Sequence, residues 1–271
     1  MQNKHNTIGK GESERAVNGG TDKYYTKQYI ADYLSNIVYE RYGDVSYIEP
    51  TAGNGSFMNV LPNIKGYDLI PERDDIEQCD VFENIFNKKD VIIGNPPFGV
   101  NASLAQSIFN HIASFSVKAI CFIVPKTFKK VSMQNKLDLN YHLVFEQDLI
   151  YKAFTVNNKD KNVPCVFQIW EYKKIKREPV KPQDCKWLKF VDKSNADIAV
   201  RKIGGKAGKV LDGLGHSITS TYFIKVKNKN VIKALKLINL DDVDNTAGVK
   251  SISKNELCSE INRIMEILNG S

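Results

Sequence analysis

Residues 45–55, Val45-Ser-Tyr-Ile-Glu49-Pro-Thr-Ala-Gly53-Asn-Gly55, read as a short buried strand that ends in a carboxylate and runs into a glycine turn. Glycines at 53 and 55 let the backbone pass close to a ligand where a Cβ would collide. The spacing predicts that the turn opens a short helix whose first amides face that ligand. A dinucleotide fingerprint would need a third glycine where Met58 stands, and a phosphate-binding P-loop would need Gly-Lys-Ser/Thr, which is absent. Glu49 at the strand end suits a ligand with an ammonium group, which a pyrophosphate lacks. A purely structural turn has the same outline, so the neighbouring segments must decide.

Working outward, residues 27–41 place Ile30, Tyr33, Leu34, Ile37 and Val38 on one helical stripe, with Thr26 as a candidate N-cap. Further strands are predicted at 63–67, 76–79, 91–93, 119–124, 141–148 and 163–171, with a helix over 102–115. Strands alternating with helices indicate an α/β layered sheet. The chain has 271 residues, 42% of them hydrophobic and 25% charged, which excludes disorder as its main state. No apolar run approaches the roughly 18 residues of a membrane helix. Residues 1–22 read as a polar, flexible N-terminal arm, 23–172 as one α/β domain, and 173–271 as a basic α+β region that begins with a linker.

The most informative stretch is Val91-Ile-Ile-Gly-Asn95-Pro96-Pro97-Phe98-Gly99. A buried strand runs into two prolines, which remove two donors and stiffen the corner. The Asn95 side-chain oxygen and the Pro96 carbonyl then form a rigid pair of acceptors. Two convergent acceptors hold a planar NH2 group and return electron density to its nitrogen, by positioning and electrostatic preorganisation. Phe98 offers a face for a planar base. Asp68 ends the following strand, where a carboxylate binds ribose hydroxyls. Asp80, further on, can accept from an exocyclic amine.

In this order the motifs resemble the class I S-adenosylmethionine-dependent amino-methyltransferases, specifically the gamma group of N6-adenine DNA methyltransferases. The resemblance runs from residue 23 to 171 and implies a mostly parallel, seven-stranded Rossmann-like sheet, with residues 23–172 as the methyltransferase domain and 173–271 as a nucleic-acid recognition region. It implies S-adenosyl-L-methionine as cofactor and a cofactor site of Thr26, Glu49, Thr51, Gly53, Gly55, Asp68, Leu69, Asp80, Val81, Asn95 and Leu104. It makes Asn95, Pro96, Pro97 and Phe98 the catalytic tetrad. It places Phe154 as the aromatic that stacks on a flipped base opposite Phe98. The implied activity is transfer of a methyl group to N6 of adenine in nucleic acid, DNA ahead of RNA, as in the methylating arm of a restriction–modification pair. Other planar amines (adenine in RNA, cytosine N4, guanine N2 or a protein glutamine) are the alternatives, followed by an inactive binding subunit of the same fold.

The charge distribution supports a polyanionic partner. Residues 1–171 carry 18 Lys and Arg against 20 Asp and Glu, whereas residues 172–271 carry 20 against 11. The run Arg201-Lys202-Ile-Gly-Gly-Lys206-Ala-Gly-Lys209 sets four cations among three glycines, whose N–H groups could approach phosphate oxygens. A hairpin turn with solvated lysines has the same sequence character. Trp187, Phe190, Tyr222 and Phe223 suit either base stacking or a core. Five cysteines without a CxxC pair predict reduced thiols and a cytoplasmic-type compartment. Cys165 reads as packing, and His5, His111, His142 and His216 form no metal-ligand pattern. The expected partner is therefore nucleic acid, without membrane or metal, and a homodimer or partner subunit stays open.

Overall fold

The computed structural model describes residues 23–238 and 250–269. The expected N-terminal arm, with His5, lies outside the described residues. The chain divides between Pro179 and Val180 into two compact units.

The first unit is built on a seven-stranded sheet. Its strands are β2 (Tyr47–Glu49), β3 (Ile64–Asp68), β4 (Ile76–Gln78), β5 (Val91–Gly94), β6 (Ala119–Pro125), β7 (Tyr141–Asp148) and β10 (Cys165–Tyr172), in the spatial order β4-β3-β2-β5-β6-β10-β7. Pairings from β4 through β6 are parallel, and β10 runs antiparallel to both β6 and β7. This is the α/β layered sheet expected from the alternating elements, in the mostly parallel, seven-stranded Rossmann-like form that the resemblance implies.

Side-chain alternation in the central strands builds three layers. Val91, Ile93, Ala119, Cys121 and Ile123 face one side and pack with Ile30, Leu34 and Val38 of helix α1 (Gln28–Tyr42). Ile92, Ile120, Phe122 and Val124 face the other and pack with Leu104, Ile108, Phe109 and Ile112 of helix α2 (Ser103–Ala113). Because both faces are covered, β6 is apolar along its whole length rather than alternating. A smaller sheet joins β1 (Tyr25–Thr26), β8 (Phe154–Val156) and β9 (Lys159–Lys161), with Thr26 opposite Phe154.

Three local expectations are corrected. The residues after the glycine turn form no helix: Gly55 N–H donates to Ala52 O, Met58 N–H to Gly55 O and Val60 N–H to Phe57 O, a series of tight turns. Gly53 (φ +54°) and Gly55 (φ +73°) are both left-handed, which breaks the repeat a helix needs. Thr26 does not cap α1; Lys27 occupies the cap position without a side-chain bond, and Thr26 is tied into β1. The start of the predicted linker runs along the first unit. Lys173 N–H donates to Asn140 O at 2.7 Å, and the Arg177 side chain donates to Tyr141 O at 2.9 Å and lies 5.5 Å over the Trp170 ring.

The second unit is a four-stranded antiparallel sheet backed by two helices. Its strands are β11 (Leu188–Phe190), β12 (Ile198–Arg201), β13 (Val210–Leu211) and β14 (Thr221–Val226), in the order β11-β14-β12-β13. Leu188, Val200, Tyr222 and Ile224 pack against Val231, Ala234 and Leu235 of α3 (Asn230–Leu237) and against Leu257, Ile261 and Met265 of α4 (Lys254–Asn269). Ser253 and Glu256 cap α4 reciprocally: each backbone N–H donates to the other's side chain, at 2.8 and 3.2 Å.

The reading of all five cysteines as reduced is also corrected. Cys185 and Cys258 form a disulfide with a Cα–Cα distance of 5.1 Å, while Cys79, Cys121 and Cys165 are free. The 73-residue separation of the pair gave no spacing signal; the packing of α4 beside the start of β11 brings the two together. No helix among the described residues is long and apolar enough to cross a membrane.

Candidate active site

Strand order reverses at β2, whose neighbours β3 and β5 lie on opposite sides. In open α/β sheets ligands bind beyond the carboxyl ends of the strands at such a reversal. Glu49 ends β2, Asp68 ends β3, and Asn95 follows directly on β5. The sheet topology thus brings together three residues that the sequence separates by up to 46 positions.

Eleven buried side-chain N and O atoms among the described residues have no hydrogen-bond partner. Four of them belong to this region: Thr26 Oγ1, Glu49 Oε2, Thr51 Oγ1 and Asn95 Oδ1. Folded chains rarely leave buried polar atoms unpaired, so a concentration of them at one strand-end region singles it out as the candidate site. The elements that carry them touch. The Ser56 hydroxyl donates to Thr26 O at 2.9 Å, and a Cβ on Gly94 would lie 3.5 Å from Glu49 Cγ. The Asn95 side-chain NH2 donates to Tyr24 O at 3.1 Å.

That last bond sets the orientation of the Asn95 amide. A carbonyl can only accept, so the NH2 end of Asn95 must face Tyr24 and the oxygen must face away. The corner behind it is tight. The Phe98 carbonyl accepts from Leu104 N–H at 3.1 Å and Ala105 N–H at 3.3 Å. Gly99 has φ +68°, and a Cβ there would meet Leu104 Cβ at 2.7 Å, so a side chain at 99 would push the tetrad off α2. Pro96 is buried, Phe98 is half-buried against both cores, and Leu104 is buried in the layer under α2.

The cofactor residues named from sequence fall as follows. Asp68 accepts from Gly53 N–H at 2.7 Å and Ile70 N–H at 2.9 Å, which fixes its carboxylate against the glycine turn; lone pairs remain on both oxygens. The Gly55 carbonyl accepts from Arg73 at 3.3 Å, and the Arg73 side chain fills the space a Cβ on Gly55 would need. Leu69 is half-buried beyond Asp68, with its carbonyl accepting from Gln78 at 3.1 Å. Asp80 Oδ1 accepts from Phe82 N–H at 3.0 Å and starts a turn, and Val81 is buried beside it.

Burial pushes the Glu49 carboxyl well above the usual carboxylate range; the charge of Asp68 adds to the rise, while Phe57 N–H and Arg73 oppose it. The sign of the stability effect follows. Between the ordinary glutamate value of about 4.3 and the raised folded value, the unfolded chain is ionised while the folded chain holds its proton. Glu49 therefore contributes stability that is present below that window and lost as pH rises through it. Thermal unfolding of the ligand-free protein should show a Tm component that falls across this window and is absent in Glu49→Gln. Identical pH profiles for the two proteins would contradict it.

Phe154 is not where the resemblance implies. It has 0% exposure and meets the Tyr24 ring edge-on at 6.4 Å, because pairing of β8 with β1 turns its side chain into the core. An aromatic without an exposed face cannot stack on a base in this arrangement. Tyr24, 39% exposed and bonded through its carbonyl to Asn95, is the aromatic on the accessible side. Sequence reasoning missed it; the available signal was the paired tyrosines of Lys23-Tyr-Tyr-Thr26.

Residues 59–175, less than half of the chain, match the family model of the EDM2 methyltransferase-like domain. No curated protein sequence matches. Among solved structures, a Thermoplasma acidophilum protein is 18% identical, with 63% of this chain and 100% of that one covered at a TM-score of 0.41. Magnesium protoporphyrin IX methyltransferase from Synechocystis, solved with bound S-adenosylmethionine, is 9% identical over 64% and 87%, with a TM-score of 0.40. The tRNA (uracil-54, C5)-methyltransferase of Pyrococcus abyssi, in complex with S-adenosyl-L-homocysteine, is 17% identical over 57% and 41%, with a TM-score of 0.36. The observed strand order, rather than these likenesses, carries the fold assignment.

In the second unit the expected cation cluster separates. The Arg201 guanidinium donates to Ile203 O at 3.2 Å and Ser220 Oγ at 3.3 Å, bracing the turn. Lys206 and Lys209 are exposed, and Lys202 is half-buried. The amides of Gly204 and Gly208 donate to Lys250 O and Arg201 O, so these two are not free for phosphate. His111 is packed edge-on against Phe82, Phe86 and Phe115, and Cys165 is buried in β10; both are structural.

Proposed function

We propose that this chain is an S-adenosyl-L-methionine-dependent methyltransferase whose acceptor is a planar exocyclic amine, N6 of adenine in nucleic acid, with DNA ahead of RNA. The observation that carries the reading is the Asn95 amide: its NH2 end is bonded to Tyr24 O while its oxygen is buried and unpartnered. The family match supports a methyltransferase, and the positive charge after residue 171 supports a polyanionic substrate.

The residues present fit the cofactor. The unpartnered Glu49 oxygen suits an ammonium group, Asp68 at the end of β3 suits the ribose hydroxyls, and Asp80 with Val81 suits the adenine. Gly53 and Gly55 shape the turn between them, with Thr26, Thr51, Leu69 and Leu104 as its other neighbours. When bound, S-adenosylmethionine supplies an electrophilic methyl group on a sulfonium. The chain's own work is to hold the acceptor. Asn95 Oδ1 and the Pro96 carbonyl accept the two amine hydrogens, and the prolines at 96 and 97 keep these oxygens from swinging away. Withdrawn from conjugation with its ring, the nitrogen lone pair becomes nucleophilic. Phe98 and Tyr24 offer ring faces to a base brought out of its stack. Lys202, Lys206 and Lys209 offer charge to the phosphate backbone.

The test is to incubate the protein with labelled S-adenosylmethionine and a panel of DNA, RNA and protein, then to digest and identify the modified unit. N6-methyladenine in DNA is the expected product. A methylated cytosine, guanine or glutamine, or the absence of transfer to every panel member, would overturn the assignment.

A further inference from the structure

The second unit contains a cleft of about 320 Å³ beside β14, lined among others by Phe190, Lys193, Lys202, Thr221, Tyr222 and Lys254. Three features of its wall point to a ligand. First, three ammonium groups are held over aromatic rings: Lys254 Nζ lies 4.8 Å from the Phe190 centroid, Lys202 Nζ 5.7 Å from Tyr222, and Lys193 Nζ 5.9 Å from Phe223. Each ring steadies its lysine, and none of the three ammoniums is ion-paired to a carboxylate among the described residues. Asp192 is the one carboxylate on the wall, so the lining keeps a net positive charge. Second, Thr221 is only 4% exposed and its hydroxyl has no partner. A buried hydroxyl without a bond is costly unless something else supplies one. Third, Ile218 stands at the cleft 73% exposed, an apolar side chain open to a ligand.

Positive charge, one orphan hydroxyl and apolar contact together match a nucleotide: phosphate, sugar and base. The cleft is concave and of about that size. A nucleotide can enter it only when unstacked, which a single strand allows and a duplex does not. We propose that this cleft binds one nucleotide of a single-stranded nucleic acid, with its phosphate on Lys193, Lys202 and Lys254, its sugar or base edge on the Thr221 hydroxyl, and its base against Phe190 and Ile218. The site lies wholly within the second unit. The inference rests on the reading of the substrate as nucleic acid and adds a second point of attachment to it.

The test is fluorescence anisotropy of a labelled oligonucleotide with the full chain, titrated at several salt concentrations. Single-stranded DNA, single-stranded RNA and duplex DNA form the arms. The triple variant Lys193→Gln, Lys202→Gln, Lys254→Gln should bind single strands about tenfold or more weakly, and the log–log salt slope should drop by about 2, the value for three phosphate-facing cations. Thr221→Val, a near-isosteric change, should weaken binding severalfold and leave the salt slope unchanged. An unaltered slope in the triple variant, or duplex bound more tightly than single strand, would overturn the proposal, as would the absence of oligonucleotide binding. S-adenosylmethionine affinity, read by calorimetry, should be the same in all variants and reports that the first unit is intact. The two readings fail separately. Methyl transfer to nucleic acid with unchanged binding by the triple variant removes the cleft alone; the predicted binding losses without any transfer remove the reaction alone.

Discussion

Asn95→Ala is expected to reduce methyl transfer by at least about 10²–10³-fold in kcat, the scale found when one preorganised polar group is removed from a reacting centre. Affinity for S-adenosylmethionine should stay within severalfold, since the proposed cofactor contacts are chiefly Glu49, Asp68 and Asp80. Single-turnover transfer with calorimetric binding separates the two effects. Asn95→Asp sharpens the test. It keeps the size and an acceptor oxygen but presents a carboxylate to the Tyr24 carbonyl, which now accepts from the Asn95 NH2 group at 3.1 Å. Two acceptors facing one another repel, so Asn95→Asp should lose transfer nearly as completely as Asn95→Ala. An active Asn95→Ala enzyme would remove the central role given to this amide.

Glu49→Gln is expected to move binding and stability in opposite directions. The neutral amide keeps the shape of the glutamate but loses the charge that meets an ammonium group. Loss of one partner from a buried charge pair costs about 2–5 kcal/mol, at least about 30-fold in cofactor affinity. The ligand-free protein should instead gain thermal stability at neutral pH, because a carboxyl that is 2% exposed with an unpartnered oxygen is a burden on the fold. Calorimetric titration and a Tm measured without ligand report the two quantities. A variant that bound S-adenosylmethionine as well as the parent would place the ammonium contact elsewhere. A glutamate kept in a destabilising position fits a residue held there for binding rather than for packing.

Much of the scaffold was legible because burial on both faces leaves a plain signature. The runs at 91–94 and 119–125 carry almost nothing but apolar side chains, and of the stripe read at 30, 33, 34, 37 and 38 all but Tyr33, which is 50% exposed, turn to the core. The stretch at 50–55 is a turn, as read, but it was wrongly read as a helix start, since two left-handed glycines in three residues oppose helical propagation. The disulfide between Cys185 and Cys258 left no trace in spacing. Arg201 is indistinguishable from its lysine neighbours in sequence, yet its guanidinium serves the turn itself.

The sequence by itself determined the layered α/β character, the strand-end carboxylates and the proline-stiffened corner, because apolar periodicity and the backbone limits of proline and glycine act over a few residues. Only the tertiary structure decided which aromatic faces the site. Phe154 and Tyr24 are equally aromatic as letters, but the pairing of β1 with β8 buries the first and leaves the second accessible. It also decided that the Asn95 oxygen is the free end of its amide, through a carbonyl 71 residues earlier in the chain. Contacts of that separation depend on how the chain closes on itself, and no local pattern encodes them.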